Sequence, residues 1–186
     1  MPEPLTPISP LARRQPQARV GLFVDTQNLY YSARDLQRNG DNNNGYVDYQ
    51  ALAQFVGEGR QLQFATAYVV EREGDTAAHG FIAKLSNLGY RVRRKLSRLR
   101  YTDDNGEPIF EGDWDMGIAA DIVRALDHLD VIALASGDGD FVPILQLAQE
   151  RGLRVEAYGF RHTTSQALID CADVFANLAE LPELLI

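Results

Sequence analysis

Short, continuous apolar runs alternate along this chain with segments whose apolar residues recur every three or four positions. "RVGLFVD" (Arg19 to Asp25), "QLQFATAYVV", "DVIALAS" and "LRVEAYGF" are runs of the first kind and predict buried strands. "TQNLYYSARDLQ", "VDYQALAQFVGEG", "DTAAHGFIAKLSNLG", "DFVPILQLAQERG" and the short "TSQALIDCA" predict helices. In "WDMGIAADIVRALDHL" the helical spacing is carried by Ile118, Ile122, Leu126 and Leu129. Asp48 and Asp75 stand where helix N-caps belong, and Gly57 and Gly89 where helices end. "GDNNNG", Gly40 to Gly45, is a loop by composition, and "DVFANL" reads as a last edge strand. Strand and helix alternate, and the strands are apolar throughout instead of every second residue. That combination predicts an α/β fold whose mainly parallel central sheet is covered by helices on both faces.

One segment breaks the pattern. In "YRVRRKLSRLRYTDDNGEPIFEGD" long side chains alternate on either side of "DDNG", a turn signal, and predict a basic β-ribbon. The first 18 residues hold five of the eight prolines and no continuous apolar stretch, so they read as a flexible leader, not a secretory signal. Residues 19–186 are then long enough to form one domain with its own core. No apolar run approaches the ~20 residues of a membrane-spanning helix. The one cysteine, Cys171, excludes an internal disulfide framework and suits a reducing cytoplasm; its apolar context reads as a buried structural thiol. A net charge of -8 argues against coating nucleic acid with the whole surface. The charge is uneven, however, for six of the eighteen cationic residues fall between Arg91 and Arg100.

Ligand sites of open α/β sheets lie beyond the carboxyl ends of the strands. Acids stand at such ends: Asp25 closes the first strand, Asp138 follows "VIALAS", and Asp140 is two residues on. Asp115 opens the helix leading into that strand. If the first strand and "VIALA" are neighbours in the sheet, these carboxylates converge. Converging like charges raise one another's pKa unless a cation intervenes, and oxygen-only ligands select Mg²⁺ or Mn²⁺. His79, His128 and His162 are scattered and complete no zinc pattern with Cys171. Each acid also has a plainer reading as a helix cap or Asx turn. A single acid suffices for a cap, and Asp140 could serve without Asp138. Asn28, three after Asp25, either hydrogen-bonds that acid or a phosphate oxygen or is an ordinary polar residue of a first helical turn. Asp121 lies six positions after Asp115, ~240° around a regular helix, so both point one way only if Asp115 precedes the helix.

"FVDTQNLYYSA", "GDWDMGIAADIV" and "ALASGDGDFVPIL", in that order and followed by "RVEAYGF", resemble the NYN domain family, in particular its LabA-like bacterial branch. The likeness runs from about Val20 to Leu178. It implies a PIN-like, three-layer α/β/α sandwich and a ribonuclease-type site using Mg²⁺ or Mn²⁺. By position it puts the family's functional residues on Asp25, Asn28, Asp115, Asp121, Asp138 and Asp140. Asp25, Asp115, Asp138 and Asp140 are then the metal ligands. Many relatives carry a lysine before the middle block; here that region reads "FEGDWD", and no phosphate-binding cation is assigned from it.

An acidic site repels a phosphate backbone unless cations elsewhere attract it. Arg91, Arg93, Arg94, Lys95, Arg98 and Arg100 are the candidate RNA contacts, or else they decorate an edge strand against aggregation. In an extended strand Arg91, Arg93 and Lys95 share one face. Tyr101 and Trp114 flank the ribbon and either stack on bases or pack it; Tyr30 and Tyr31 follow the Asp25 turn, where one could border the cleft. The expectation is a metal-dependent endoribonuclease with RNA as partner, no organic cofactor and no membrane, with self-association left open. The alternative is a non-catalytic RNA-binding regulatory module on the same surface. A phosphohydrolase for small phosphate esters is disfavoured, since the first strand ends in "DTQN" without a second Asp. An interaction scaffold with a vestigial site would not need acids at every matched position. The acidic, apolar tail "ELPELLI" docks either on its own domain or on a partner.

Overall fold

The computed structural model describes residues 17–38, 45–72, 74–102 and 108–186, the side chains of 38, 98–102 and 108–111 excepted. The leader through residue 16, the loop of residues 39–44 and the turn of residues 103–107 lie outside the described residues. The elements follow in the order β1 (Arg19–Asp25), α1 (Thr26–Arg38), α2 (Tyr49–Gly57), β2 (Gln61–Glu71), α3 (Thr76–Asn87), β3 (Arg91–Leu96), β4 (Arg98–Thr102), β5 (Pro108–Glu111), α4 (Asp115–Ala125), β6 (Val131–Ala135), α5 (Val142–Glu150), β7 (Arg154–Gly159), α6 (Gln166–Cys171) and β8 (Val174–Asn177). Six strands form one parallel sheet in the order β3-β2-β1-β6-β7-β8. The expected α/β/α sandwich is therefore present.

Alternation along each strand fills two separate cores. Val20, Leu22 and Val24 of β1 pack with Leu29, Ala33, Leu52, Val56 and Leu85 from α1, α2 and α3. Phe23, Ile132 and Leu134 face the other way, onto Ile118, Ile122, Leu145 and Leu168 from α4, α5 and α6. With a helix layer on each side, every residue of β6 is buried, which is why "VIALA" carries no period of two. Asp48 and Asp75 cap α2 and α3 through their carboxylates, and Gly89 takes φ +89°, the left-handed turn that ends a helix.

The basic run departs from expectation. The sequence reading places it in a ribbon; the structure divides it. Arg91, Arg93, Arg94 and Lys95 lie on β3, the edge strand of the main sheet, parallel to β2. Ser97 then donates both its backbone N–H and its hydroxyl to the Glu71 carbonyl, at 2.8 and 3.1 Å, and the chain leaves the sheet. Only then does an antiparallel pair form, β4 with β5. Backbone pairing decides this outcome. A chain arriving from α3 satisfies its N–H and C=O groups on the open edge of β2 before any hairpin can. The charged side chains of β3 also protect that edge from pairing with another chain.

Ion pairing inside the core was invisible in the sequence. Arg60, after α2, and Glu156, on β7, meet at 2.8 Å with side chains each 1% exposed. Tyr158 donates its hydroxyl to the same carboxylate at 2.7 Å and Arg154 its Nε at 3.0 Å. Burial alone would raise the Glu156 carboxyl, but the hydrogen bonds from Arg60 and Tyr158 hold it below its ordinary value. The tail turns back on its own domain: Leu185 pairs with Val47, and Tyr46 and Ile186 exchange two backbone hydrogen bonds. No helix among the described residues is long and apolar enough to cross a membrane.

Removing one partner of a buried pair strands the other charge. Glu156→Ala is expected to lower the unfolding free energy by about 3–5 kcal/mol, read from the urea midpoint at neutral pH. A loss below about 1 kcal/mol would show that Arg60 finds water or another partner.

Candidate metal centre

Strand order reverses at β1: β2 and β3 extend the sheet on one side, and β6, β7 and β8 on the other. Crevices open at such switch points, beyond the carboxyl ends of the strands. Val24 is paired with Ala135, so the ends of β1 and β6 are level, and the next residues are Asp25 on one and Ser136 on the other. A cavity of about 540 Å³ opens there, lined by Asp25, Asn28, Asp113, Trp114, Asp115 and Asp138 among others.

Local hydrogen bonds set each acid. Asp25 Oδ1 accepts the Asn28 N–H at 3.1 Å, the bond an N-cap makes, while Ser136 donates its hydroxyl to Asp25 Oδ2 at 3.3 Å. The same hydroxyl oxygen accepts the Asp138 N–H at 3.3 Å, so one fully buried serine joins the two strand-end acids. Asn28 Oδ1 accepts the Gly137 N–H at 2.9 Å, tying the start of α1 to the turn after β6. Glycine at 137 permits this close approach, for a Cβ there would stand 2.9 Å from Thr164 Oγ1 and 3.0 Å from its Cα. Asp138 Oδ1 accepts the Asp140 N–H at 2.9 Å and so caps the short 3₁₀ turn Gly139–Phe141. Asp138 is thus the capping acid of the pair, where the sequence reading had Asp140 able to serve.

The capping and ligand readings are compatible, because a carboxylate that accepts one N–H keeps further lone pairs. Asp115, first residue of α4, joins Asp138 and Asp140 with one carboxylate oxygen from each lying within 4.8 Å of the others. Two unit charges at that separation repel by roughly 3 kcal/mol at an effective dielectric of about 20, less where exposed Asp140 is screened. The strain is visible in proton affinity. Burial first, then the charges of Asp138, Asp113, Asp25 and Asp140, push the Asp115 carboxyl up to about 6. Burial likewise raises Asp25, against the hydrogen bonds from Asn28 and Ser136, with the charge of Asp138 adding to the rise. Among the described residues no cation pairs with any of these acids.

Asp121 stands apart from this group. Its carboxylate accepts from the Tyr68 hydroxyl at 3.0 Å and from Arg93 and Arg124 at 2.8 Å each. Asp115 lies inside α4, not before it, so the two side chains leave the helix on different sides. The basic residues of β3 also have partners within the chain. Arg94 forms a two-pronged pair with Glu71, at 2.9 and 3.0 Å. Arg91 stacks on Phe64, and Lys95 donates to the Asp113 carbonyl at 2.6 Å. Arg93 and Lys95 both lie over the Trp114 ring, whose Nε1 donates to the Val69 carbonyl at 3.0 Å. The side chains of Arg98, Arg100 and Tyr101 lie outside the described residues. Sequence reasoning passed over Asp113 and Ser136. The "DWD" spacing was the available signal for the first; nothing local marks a serine as the link between two strands.

A model of the NYN domain matches residues 19–179. Low amplitude and bright protein LabA of Synechococcus elongatus is 24% identical over 166 residues, covering 88% of this chain and 86% of its own. The crystal structure of a protein of unknown function from Vibrio parahaemolyticus superposes with a TM-score of 0.76 at 29% identity, covering 94% of this chain and 99% of that one. With the matched domain spanning most of the sequence and the acids gathered at its switch point, the chain belongs to the NYN domain family, in its LabA-like branch.

Proposed function

We propose that this protein is a metal-dependent endoribonuclease acting in the cytoplasm, with residues 19–186 as its functional domain. NYN domains are a PIN-like nuclease family, which makes phosphodiester hydrolysis the first reading of an acidic centre on this fold. The observation that carries it is the closeness of Asp115, Asp138 and Asp140, with Asp25 and Asp113 beside them and no ion pair to any of these acids among the described residues; Arg34, the cation in the cavity lining, is turned to Tyr30. An all-oxygen donor set of this kind fits Mg²⁺ or Mn²⁺. Asp115, Asp138 and Asp140 would hold the ion and Asp25 would stand next to it. When bound, such a cation lowers the pKa of a coordinated water and neutralises charge gathering on the scissile phosphate. Asn28 and Ser136 keep Asp25 and the turn of Asp138 in register, so the carboxylates need not reorganise during the reaction. Asp121 acts through the scaffold: it fixes Tyr68 and draws Arg93 across the face of Trp114. Arg91, Arg93, Arg94 and Lys95 guide RNA from the edge strand by exchanging intramolecular partners for phosphates.

Asp138→Asn is expected to reduce Mn²⁺-dependent cleavage of a labelled RNA panel by more than about 100-fold, since losing even an outer partner of a metal site costs about 10–100-fold. Asp121→Asn is expected to cost less than about tenfold. Equal losses in both variants would return Asp121 to the reacting group. RNA binding without cleavage by the wild type would select the non-catalytic regulatory module instead.

Asp115 adds a pH signature. Its folded pKa lies above the ordinary 3.8, so the folded chain binds the proton more tightly than the unfolded one. Metal-free protein therefore loses this contribution to stability as pH rises from about 4 through about 6. A bound cation offsets the loss only when the carboxylates are ionised. The rise in thermal midpoint caused by Mn²⁺ is expected to be larger near pH ~7.5 than near pH ~5, with Asp115→Asn shrinking the difference. A pH-independent rise would place the ion elsewhere.

A further inference from the structure

Beside the acidic cavity runs a second, larger groove of about 730 Å³, within the ~300–1,000 Å³ range of ligand sites. The two share Gln27 and Tyr31 in their linings, so they adjoin beside the start of α1. Their chemistry differs. The lining of the first is rich in acids. The acidic side chain in the lining of the second, Asp75, is occupied in capping α3.

The second groove collects exposed aromatic surface. Tyr30, Tyr31 and Tyr46 are 40%, 59% and 49% exposed, and with Ile186 they make four of the seven large apolar residues exposed among those described. Single exposed apolar residues need no explanation, but a contiguous patch marks a contact surface. The rings are also organised. Tyr30 meets Tyr31 edge-on at 5.5 Å between centroids and lies at 31° to Tyr46 at 6.1 Å. Arg34 sits 5.5 Å over the Tyr30 ring and donates Nη1 to its hydroxyl at 3.2 Å, which fixes that ring. Tyr46 is held from behind by its two backbone bonds to Ile186. Cations border the groove: Arg72 and Lys84 line it, and Lys84 has no ion-pair partner among the described residues.

Pre-positioned tyrosine faces with cations beside them are the composition of a surface that stacks unpaired bases and neutralises their phosphates. We infer that the Tyr30–Tyr31–Tyr46 groove is a base-stacking subsite for single-stranded RNA whose neighbouring nucleotides lie over the acidic centre. The inference rests on the ribonuclease reading for its substrate class. It also goes beyond that reading by requiring an unpaired strand, because stacked duplex bases cannot reach a tyrosine face. Tyr31, at the junction of the two cavities, marks where the strand passes from stacking to chemistry. Acids outnumber the one cation, Arg34, in the lining on one side of that point, and Arg72 and Lys84 attract phosphates on the other.

The test is fluorescence anisotropy in EDTA with the full chain and two labelled ten-nucleotide probes, oligoadenylate and an abasic ribose-phosphate strand. The double variant Tyr31→Ala/Tyr46→Ala is expected to weaken oligoadenylate binding by about 10- to 100-fold while leaving the abasic strand unchanged. Tyr31→Phe/Tyr46→Phe, which keeps the rings, is expected to retain wild-type affinity within about twofold. Equal loss for both probes, no loss for either, or no wild-type binding to oligoadenylate would overturn the subsite. A changed sedimentation coefficient with unchanged RNA affinity would do so too, and would assign the groove to a protein contact. Because EDTA stops metal-dependent turnover, the two readings fail separately. Base-dependent binding by a wild type that cannot cleave with Mn²⁺ keeps the subsite and discards the nuclease. Normal cleavage with an unchanged KM in the alanine variant keeps the nuclease and discards the subsite.

Discussion

Parallel pairing between β1 and β6 is the constraint on which everything else depends. Residues more than a hundred positions apart are brought level by it, Val24 against Ala135, and two strand ends that would otherwise be ordinary turns share one crevice. It also decides which helices lie on which face. The α-helices before β3 cover one core and those after β5 the other, while the strands feed both, so α1 and α4 start on opposite sides of the same opening. The pairing is non-local and therefore slow to form, but once made it leaves β6 without solvent contact on either face.

Charge is arranged around that opening with an economy of partners. Cations of β3 are engaged by Glu71, Asp121 and the face of Trp114, and the buried arginine Arg60 is engaged by Glu156. Nothing comparable reaches Asp115, Asp138 and Asp140 among the described residues. Three close carboxylates are thus left to repel one another, a repulsion that a bound cation would relieve. The hydrogen bonds that Ser136 and Asn28 make hold Asp25 and the turn of Asp138 in place, and none of them donates to the carboxylates of Asp115, Asp138 or Asp140.

Much of this was legible in the sequence, and the legible parts share a cause. Strand and helix types, the caps Asp48 and Asp75, and acids at strand ends are all local signals, written in a few adjacent residues. The division of the basic run between β3 and β4 was not local. Alternating long side chains look alike on a sheet edge and in a hairpin, and only the open edge of β2 decides between them. Asp121 shows the same limit from the other direction. Family position places it with the functional acids, whereas its neighbours Tyr68, Arg93 and Arg124, from three stretches of chain, determine what its carboxylate touches. Ser136 was missed because its role is a link between two strands, and the tyrosine groove because its rings come from α1 and from the chain before α2, with the tail bracing them from behind.

A crystal grown or soaked with Mn²⁺ and measured for anomalous scattering tests the metal centre most directly. The account predicts an anomalous peak in contact with carboxylate oxygens of Asp115, Asp138 and Asp140, at the ~2.0–2.2 Å that hard cations of this size keep from oxygen. Saturating Mn²⁺ with no density among these acids, or density only on surface carboxylates elsewhere, would contradict it.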